Sequence, residues 1–367
     1  MTGLRRTVLS AVRVVEERFD ALRFSIKRRF GLLDPFEILP YRGHGTNREL
    51  FLRGRVLEET SIKRAGQDDA VWLNALNMAR RFASDEVAGA RVRASFGGLQ
   101  VETTADAEGF FDVRFRLAEP LEDTATWHPV ELDLLSPPSP GGGEVRSVGH
   151  VLVPRGAGFG VISDLDDTVV RSSATNVLKM AWIVVRNNAH TRLPFEGVGA
   201  FYEALQRGKD GDATNPIFYV SSSPWNIYDM LEDFLNVHGV PPGPLFLKDW
   251  SPTVLGKHQD YKLGLIRRLL DTYEDLPFVL IGDSGEEDPE IYLQAVREYP
   301  KRIKAVYIRD VTSHERDAEV KALAEEARKL GTEMVAVPDT TAAAEHAASI
   351  GLIAPDEITS VRSESAG

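Results

Sequence analysis

The chain of 367 residues contains no cysteine, which excludes disulfides, thiolate nucleophiles and cysteine-ligated metals. Long apolar runs are missing too: none approaches the ~20 residues that span a bilayer as a helix. The N-terminus is basic but has neither a continuous apolar core nor a small-residue cleavage site, so it does not read as a secretory signal. A soluble cytoplasmic protein is the expectation. Positive charge is scarce, with 43 Lys and Arg against 55 Asp and Glu and a net charge of −12. Nucleic-acid binding rests on basic patches, so nucleic acid is not expected as the main partner. Among the 8 histidines no spacing suggests a zinc site. What is present is an ordinary globular composition, 43% hydrophobic and 27% charged, in a chain long enough for two domains.

The charge is unevenly spread. Residues 1–30 hold 8 Lys and Arg against 3 Asp and Glu. Within them Leu4, Val8, Val12, Val15, Phe19, Leu22 and Ile26 step by three or four onto one helical face. Such a helix, assigned to residues 1–33, admits two readings. It packs on the protein's own body, or it lies in a membrane interface, drawn to anionic lipid and making the protein peripheral to the membrane.

Residues 34–135 read mainly as β. Segments 51–56, 90–96, 99–103 and 110–117 alternate or nearly so, Gly97-Gly98 marks a hairpin, and 70–82 carries a helical pattern. An antiparallel, sandwich-like domain is expected. His128 reads as a surface or structural histidine. The run Ser136-Pro137-Pro138-Ser139-Pro140-Gly141-Gly142-Gly143 looks like a linker, placed at 136–144. Beyond it, over 145–355, strands (160–164, 217–221, 278–282, 304–308, 333–337 and a short 245–248) alternate with helices (196–207, 225–238, 260–273, 289–299, 314–330). That alternation signals a parallel α/β sheet. Residues 356–367 read as a disordered tail.

Chemistry concentrates where that sheet begins. Gly160-Val161-Ile162-Ser163-Asp164 is a buried strand running into Leu165-Asp166-Asp167-Thr168. Buried carboxylates beside apolar strands are unfavourable unless a metal or charged ligand compensates them. Asp164 and Asp166 lie two apart and so point the same way from an extended strand end. Asp164, Ser221 and Asp283 fall at or just after the carboxyl ends of three expected strands, where α/β sheets bind ligands.

The Asp-x-Asp-x-Thr pattern resembles motif I of the haloacid dehalogenase-like phosphatases. It is followed in order by Tyr219-Val220-Ser221-Ser222-Ser223-Pro224-Trp225, by Lys262 in Tyr261-Lys262-Leu263-Gly264, and by Gly282-Asp283-Ser284-Gly285-Glu286-Glu287-Asp288-Pro289-Glu290-Ile291-Tyr292. Over roughly 145–335 this wording is similar to the App1 type of phosphatidate phosphatase. The resemblance implies a Rossmann-like parallel sheet with a small cap; the apolar insert 171–195 reads either as a helix over the site or as a core helix of the sheet. It implies Asp164 as nucleophile, Asp166 as acid and base, and Thr168 steadying the motif loop beside the phosphate, which it would also contact. Ser221 and Ser222 would contact the phosphoryl group, and Ser223-Pro224 would begin the next helix. Lys262 would be the site's cation, with Lys248 and Lys257 as competitors, Lys248 alternatively touching the substrate head group. Mg²⁺ would be held by Asp164, Asp283, Asp288 and Asp166 through its carbonyl. The implied activity is hydrolysis of phosphatidate or a related lipid phosphate. A phosphatase for a soluble phosphoester or phosphoprotein, and a non-catalytic lipid- or protein-binding scaffold, are the alternatives.

Overall fold

The computed structural model describes residues 33–58, 86–122, 125–165, 196–248, 258–310 and 314–365. The expected helices at 1–33 and 70–82, the insert 171–195, Asp166, Thr168 and Lys257 lie outside the described residues. The chain forms two compact units, with the main boundary between Val153 and Pro154.

The first unit contains β1 (Phe36–Pro40), β2 (Gly43–Gly45), β3 (Glu49–Glu58), β4 (Arg91–Phe96), β5 (Leu99–Thr104), β6 (Phe110–Arg116), β7 (Trp127–Ser136) and β8 (Arg146–Leu152). They join in one hydrogen-bonded sheet, β1-β3-β2-β8-β7-β4-β5, with β6 attached to β3. All pairs are antiparallel except β2 with β8. Alternation decides the inner face: in β6, Phe111, Val113 and Phe115 are buried while Asp112, Arg114 and Arg116 face out. Gly97 and Gly98, both at positive φ, make the β4–β5 turn that side chains with a Cβ rarely adopt. β5 and β6 pack together, so the sheet folds round one core that includes Leu50, Leu52, Val92, Phe111, Phe115 and Leu132. It is one continuous sheet, where the sequence suggested the two sheets of a sandwich. His128 is buried in β7, its ring edge-on to Phe96.

The Ser136–Gly143 run is not an interdomain linker. β8 returns antiparallel to β7, pairing Asp133 with Arg146 and Trp127 with Leu152, so the run is a long hairpin loop inside the first unit. Gly141, Gly142 and Gly143 all have positive φ there. Proline and glycine punctuate a reversal as readily as a boundary.

The second unit holds β9 (Gly160–Asp164), β10 (Ile217–Pro224), β11 (Leu245–Lys248), β12 (Phe278–Asp283), β13 (Ile303–Arg309) and β14 (Glu333–Val337). Their order is β11-β10-β9-β12-β13-β14 and every pairing is parallel. Helices are α1 (Val198–Arg207), α2 (Tyr228–Val237), α3 (His258–Thr272), α4 (Asp288–Glu298), α5 (His314–Lys329), α6 (Thr340–Ser349) and α7 (Glu357–Ser365). α3, α4 and α5 pack side by side; α1, α6 and α7 form a second group. Covered faces explain strands that are apolar throughout, such as β9, where all five residues are buried. From β9 the chain runs outward through β10 and β11, then resumes on β9's other side at β12. That reversal between β9 and β12 is where such sheets open a crevice at their carboxyl ends.

Two C-terminal helices went unread. α6 starts at Asp339, whose carboxylate accepts from the Ala342 N–H at 2.8 Å. α7 occupies the expected tail; its single buried residue, Val361, docks it, and Glu364 accepts from the Ala200 N–H at 2.9 Å. One anchoring residue among polar ones gives no periodic signal.

Candidate active site

Asp164 closes β9 and Asp283 closes β12, on adjacent strands at the switch point. Asp288 opens α4, five residues after Asp283, and Lys262 sits in the second turn of α3. Carboxylate oxygens of Asp164, Asp283 and Asp288 all lie within 4.8 Å of one another. The Lys262 ammonium reaches Asp164 Oδ1 at 2.9 Å and Glu286 Oε2 at 3.3 Å, and it donates to Asp288 Oδ1. The ammonium thus donates to Glu286 and Asp288 and faces Asp164 as an ion pair.

These groups are held from behind. The Asp283 carboxylate accepts from the N–H groups of Gly285 at 2.6 Å and Glu286 at 3.1 Å, and Asp288 Oδ2 accepts from the Asp283 N–H at 3.3 Å. Gly282 is obligatory: a Cβ there would stand 2.1 Å from Asp288 Oδ2 and 2.8 Å from the Tyr292 hydroxyl. Tyr292 itself donates to the Ile281 carbonyl at 2.9 Å. Behind Asp164, the Ser163 hydroxyl donates to the Asp164 carbonyl at 3.1 Å and lies 2.6 Å from the Tyr202 hydroxyl. Burial first, and then Asp164, push the Tyr202 phenol up to about 12, so it stays a neutral donor.

Among the described residues, the cluster holds more carboxylates than cations. Asp164, Asp283 and Asp288 are all buried, and Lys262 is the one cation in contact with them among the described residues. Burial raises the Asp288 carboxyl to about 6 against the pull of Lys262, with Asp283 and Glu286 adding to the rise. Burial likewise raises Asp283, opposed by the N–H groups of Gly285 and Glu286. Lys262 is desolvated, which favours its neutral form, but Asp164 and Asp288 outweigh this and hold it charged. Three carboxylates against one ammonium fit a hard divalent cation bound through oxygen.

Ser221 is buried just past β10's pairing with Asp164, and its hydroxyl accepts from the Ser223 N–H at 3.0 Å; Ser222 is half-buried. Ser223 and Pro224 still belong to β10; a short 3₁₀ turn, Trp225–Ile227, intervenes before α2. The serine therefore does not cap the helix, which has no side-chain cap at all. Lys248 ends β11, two strands from β9, or about 10 Å at the usual strand spacing. Its ammonium lies 6.0 Å from the Tyr261 ring centre, and it is not among the groups touching Asp164. Glu286, Tyr292, Ser163 and Tyr202 had no assigned role in the sequence reading. The first two lie inside the quoted Gly282–Tyr292 wording, whereas nothing local marks Tyr202 as a neighbour of β9.

The second unit is thus an α/β domain with a buried carboxylate–lysine cluster at its switch point. Residues 159–310 match the family described as phosphatidate phosphatase APP1, catalytic domain. It is 32% identical to the phosphatidate phosphatase APP1 of Saccharomyces cerevisiae over 171 residues, 44% of this chain and 28% of the yeast protein. It is 26% identical to an uncharacterized Schizosaccharomyces pombe protein over 163 residues, 42% of this chain and 26% of that one. The matched region therefore spans little more than a quarter of either relative. Among solved structures, a carbohydrate acetylesterase from Xanthomonas citri is 13% identical with a TM-score of 0.25, covering 88% of this chain and 70% of its own. That likeness bears on neither fold nor function.

Proposed function

We propose that the chain is a Mg²⁺-dependent phosphatase of haloacid dehalogenase type that hydrolyses phosphatidate, or a related lipid phosphate, to diacylglycerol and phosphate. The observation that carries the reading is the buried cluster of Asp164, Lys262, Asp283 and Asp288 inside the stretch shared with the App1-type catalytic domain.

Phosphoryl transfer needs an in-line nucleophile, compensation of charge on the phosphoryl oxygens, and a proton for the leaving alkoxide. Asp164 attacks phosphorus; its P–O bond forms as the bond to the glycerol oxygen breaks. Asp166 gives its proton to that oxygen, then takes one from the water that attacks the aspartyl-phosphate and frees phosphate. Lys262 fixes the carboxylate of Asp164 and faces the incoming anion. Ser221, Ser222 and Thr168 contact the phosphoryl group, and Lys248 the head group beyond it. Mg²⁺ would be held by Asp164, Asp283 and the Asp166 carbonyl, with Asp288 close by, and when bound would add positive charge beside the phosphoryl group.

The test is phosphate release from phosphatidate in mixed micelles with Mg²⁺, beside a soluble phosphomonoester, for wild type and Asp164→Asn. The expected result is phosphatidate turnover that Asp164→Asn abolishes. Turnover of the soluble ester alone would overturn the lipid substrate while keeping the chemistry. Release that survives the substitution would overturn Asp164 as nucleophile.

A further inference from the structure

Arg316 lies six residues past the matched stretch, in the first turn of α5. A cation is disfavoured there, since the positive end of the helix dipole points at it. Yet every N–H of its guanidinium is used. Nε donates to the Ser284 carbonyl at 3.2 Å, and one Nη2 bond goes to the Glu286 carbonyl at 3.1 Å. The Glu290 carboxylate takes a bidentate pair, 2.8 Å from each Nη, and Nη1 also reaches Glu319 at 2.8 Å. Five donors meet five acceptors, which is the full capacity of an arginine.

The two carbonyls belong to the turn that joins β12 to α4, whose N–H groups at Gly285 and Glu286 hold the Asp283 carboxylate. The same turn sets Asp288 and carries Glu286 to Lys262. Glu290 stands in the first turn of α4, two residues past Asp288. Arg316 therefore fastens the acidic turn by its outward carbonyls while Asp283 fastens it by its inward N–H groups. We propose that Arg316 is a positioning residue for the Asp283–Asp288 turn, setting the separation of those carboxylates and hence the affinity for a divalent cation. This rests on the reading of Asp283 and Asp288 as metal-holding groups. Outer-shell partners of metal ligands are typically worth 10–100-fold in affinity.

The test is calorimetric Mg²⁺ binding to the full chain, for wild type, Arg316→Met and Arg316→Lys, with urea unfolding of each metal-free protein. Both variants should bind Mg²⁺ roughly 10–100-fold more weakly while their metal-free unfolding midpoints stay close to wild type. Arg316→Lys should not rescue affinity, because three donors cannot serve two carbonyls and a bidentate carboxylate. Unchanged affinity in Arg316→Met would overturn the proposal. So would weaker binding that tracks lost stability and is restored by Arg316→Lys, the signature of a general ion pair. A wild type that binds no Mg²⁺ would overturn the metal reading and the proposal with it.

Discussion

Lys262 shows most plainly what single residues do here. It is 1% exposed and its ammonium meets Asp164, Asp288 and Glu286. Removing one partner of a buried ion pair leaves the others uncompensated, at about 3–5 kcal/mol. Lys262→Met should therefore destabilise the metal-free protein by about that much, and saturating Mg²⁺ should recover part of the loss in a urea titration. Gly282→Ala drives a methyl against Asp288 and Tyr292 and should cost roughly 1–3 kcal/mol, with the proposed phosphatase activity lost alongside. Asp288 supplies the pH dependence. Its carboxyl is raised to about 6 from an ordinary 3.8, so its contribution to metal-free stability is present below the lower value and is lost as pH rises through the upper. Mg²⁺ bound as proposed would compete with that proton. The rise in melting temperature on adding Mg²⁺ should be largest above pH 6 and shrink as pH falls through it. Much of this cluster is legible in the sequence, because Asp164, Lys262, Asp283 and Asp288 stand in wording that resembles a known family. Tyr202 and Arg316 are not legible, since what matters about each is a contact made across the fold from another element.

Among elements, the strands of the second unit were the easiest to read. β9 and β14 fall at the positions their apolar runs suggest, and α3 and α4 lie within two residues of expectation at each end. The two faces of a parallel sheet are both covered, so its strands carry an unbroken apolar signal. β7 and β8 were harder, being half-polar and joined by a loop rich in proline and glycine. α7 was hardest, with one buried residue in nine. Its docking on α1 and α6 nonetheless makes it part of the unit. Ending the chain at Asp356 should lower stability by at least about 1.5–3 kcal/mol, the worth of one fully buried valine. An unchanged unfolding midpoint would show that α7 contributes nothing.

At the scale of the whole molecule, no helix among the described residues is long and apolar enough to cross a membrane. The proposed lipid substrate would be met at a membrane surface, and the basic stretch 4–30 is the candidate for that meeting. Deleting residues 1–30 separates its two readings. Lost vesicle binding with intact turnover of a soluble phosphomonoester would give the stretch to the membrane; unchanged vesicle binding would give it to the protein's own body. The central claim, though, concerns Asp164, and trapping the covalent intermediate tests it most directly. Wild-type protein should be acid-quenched during phosphatidate turnover with Mg²⁺ and its peptides mapped by mass spectrometry. The account predicts a phosphoryl adduct on Asp164 that vanishes in Asp164→Asn; turnover with no adduct there, or an adduct on another residue, would contradict it.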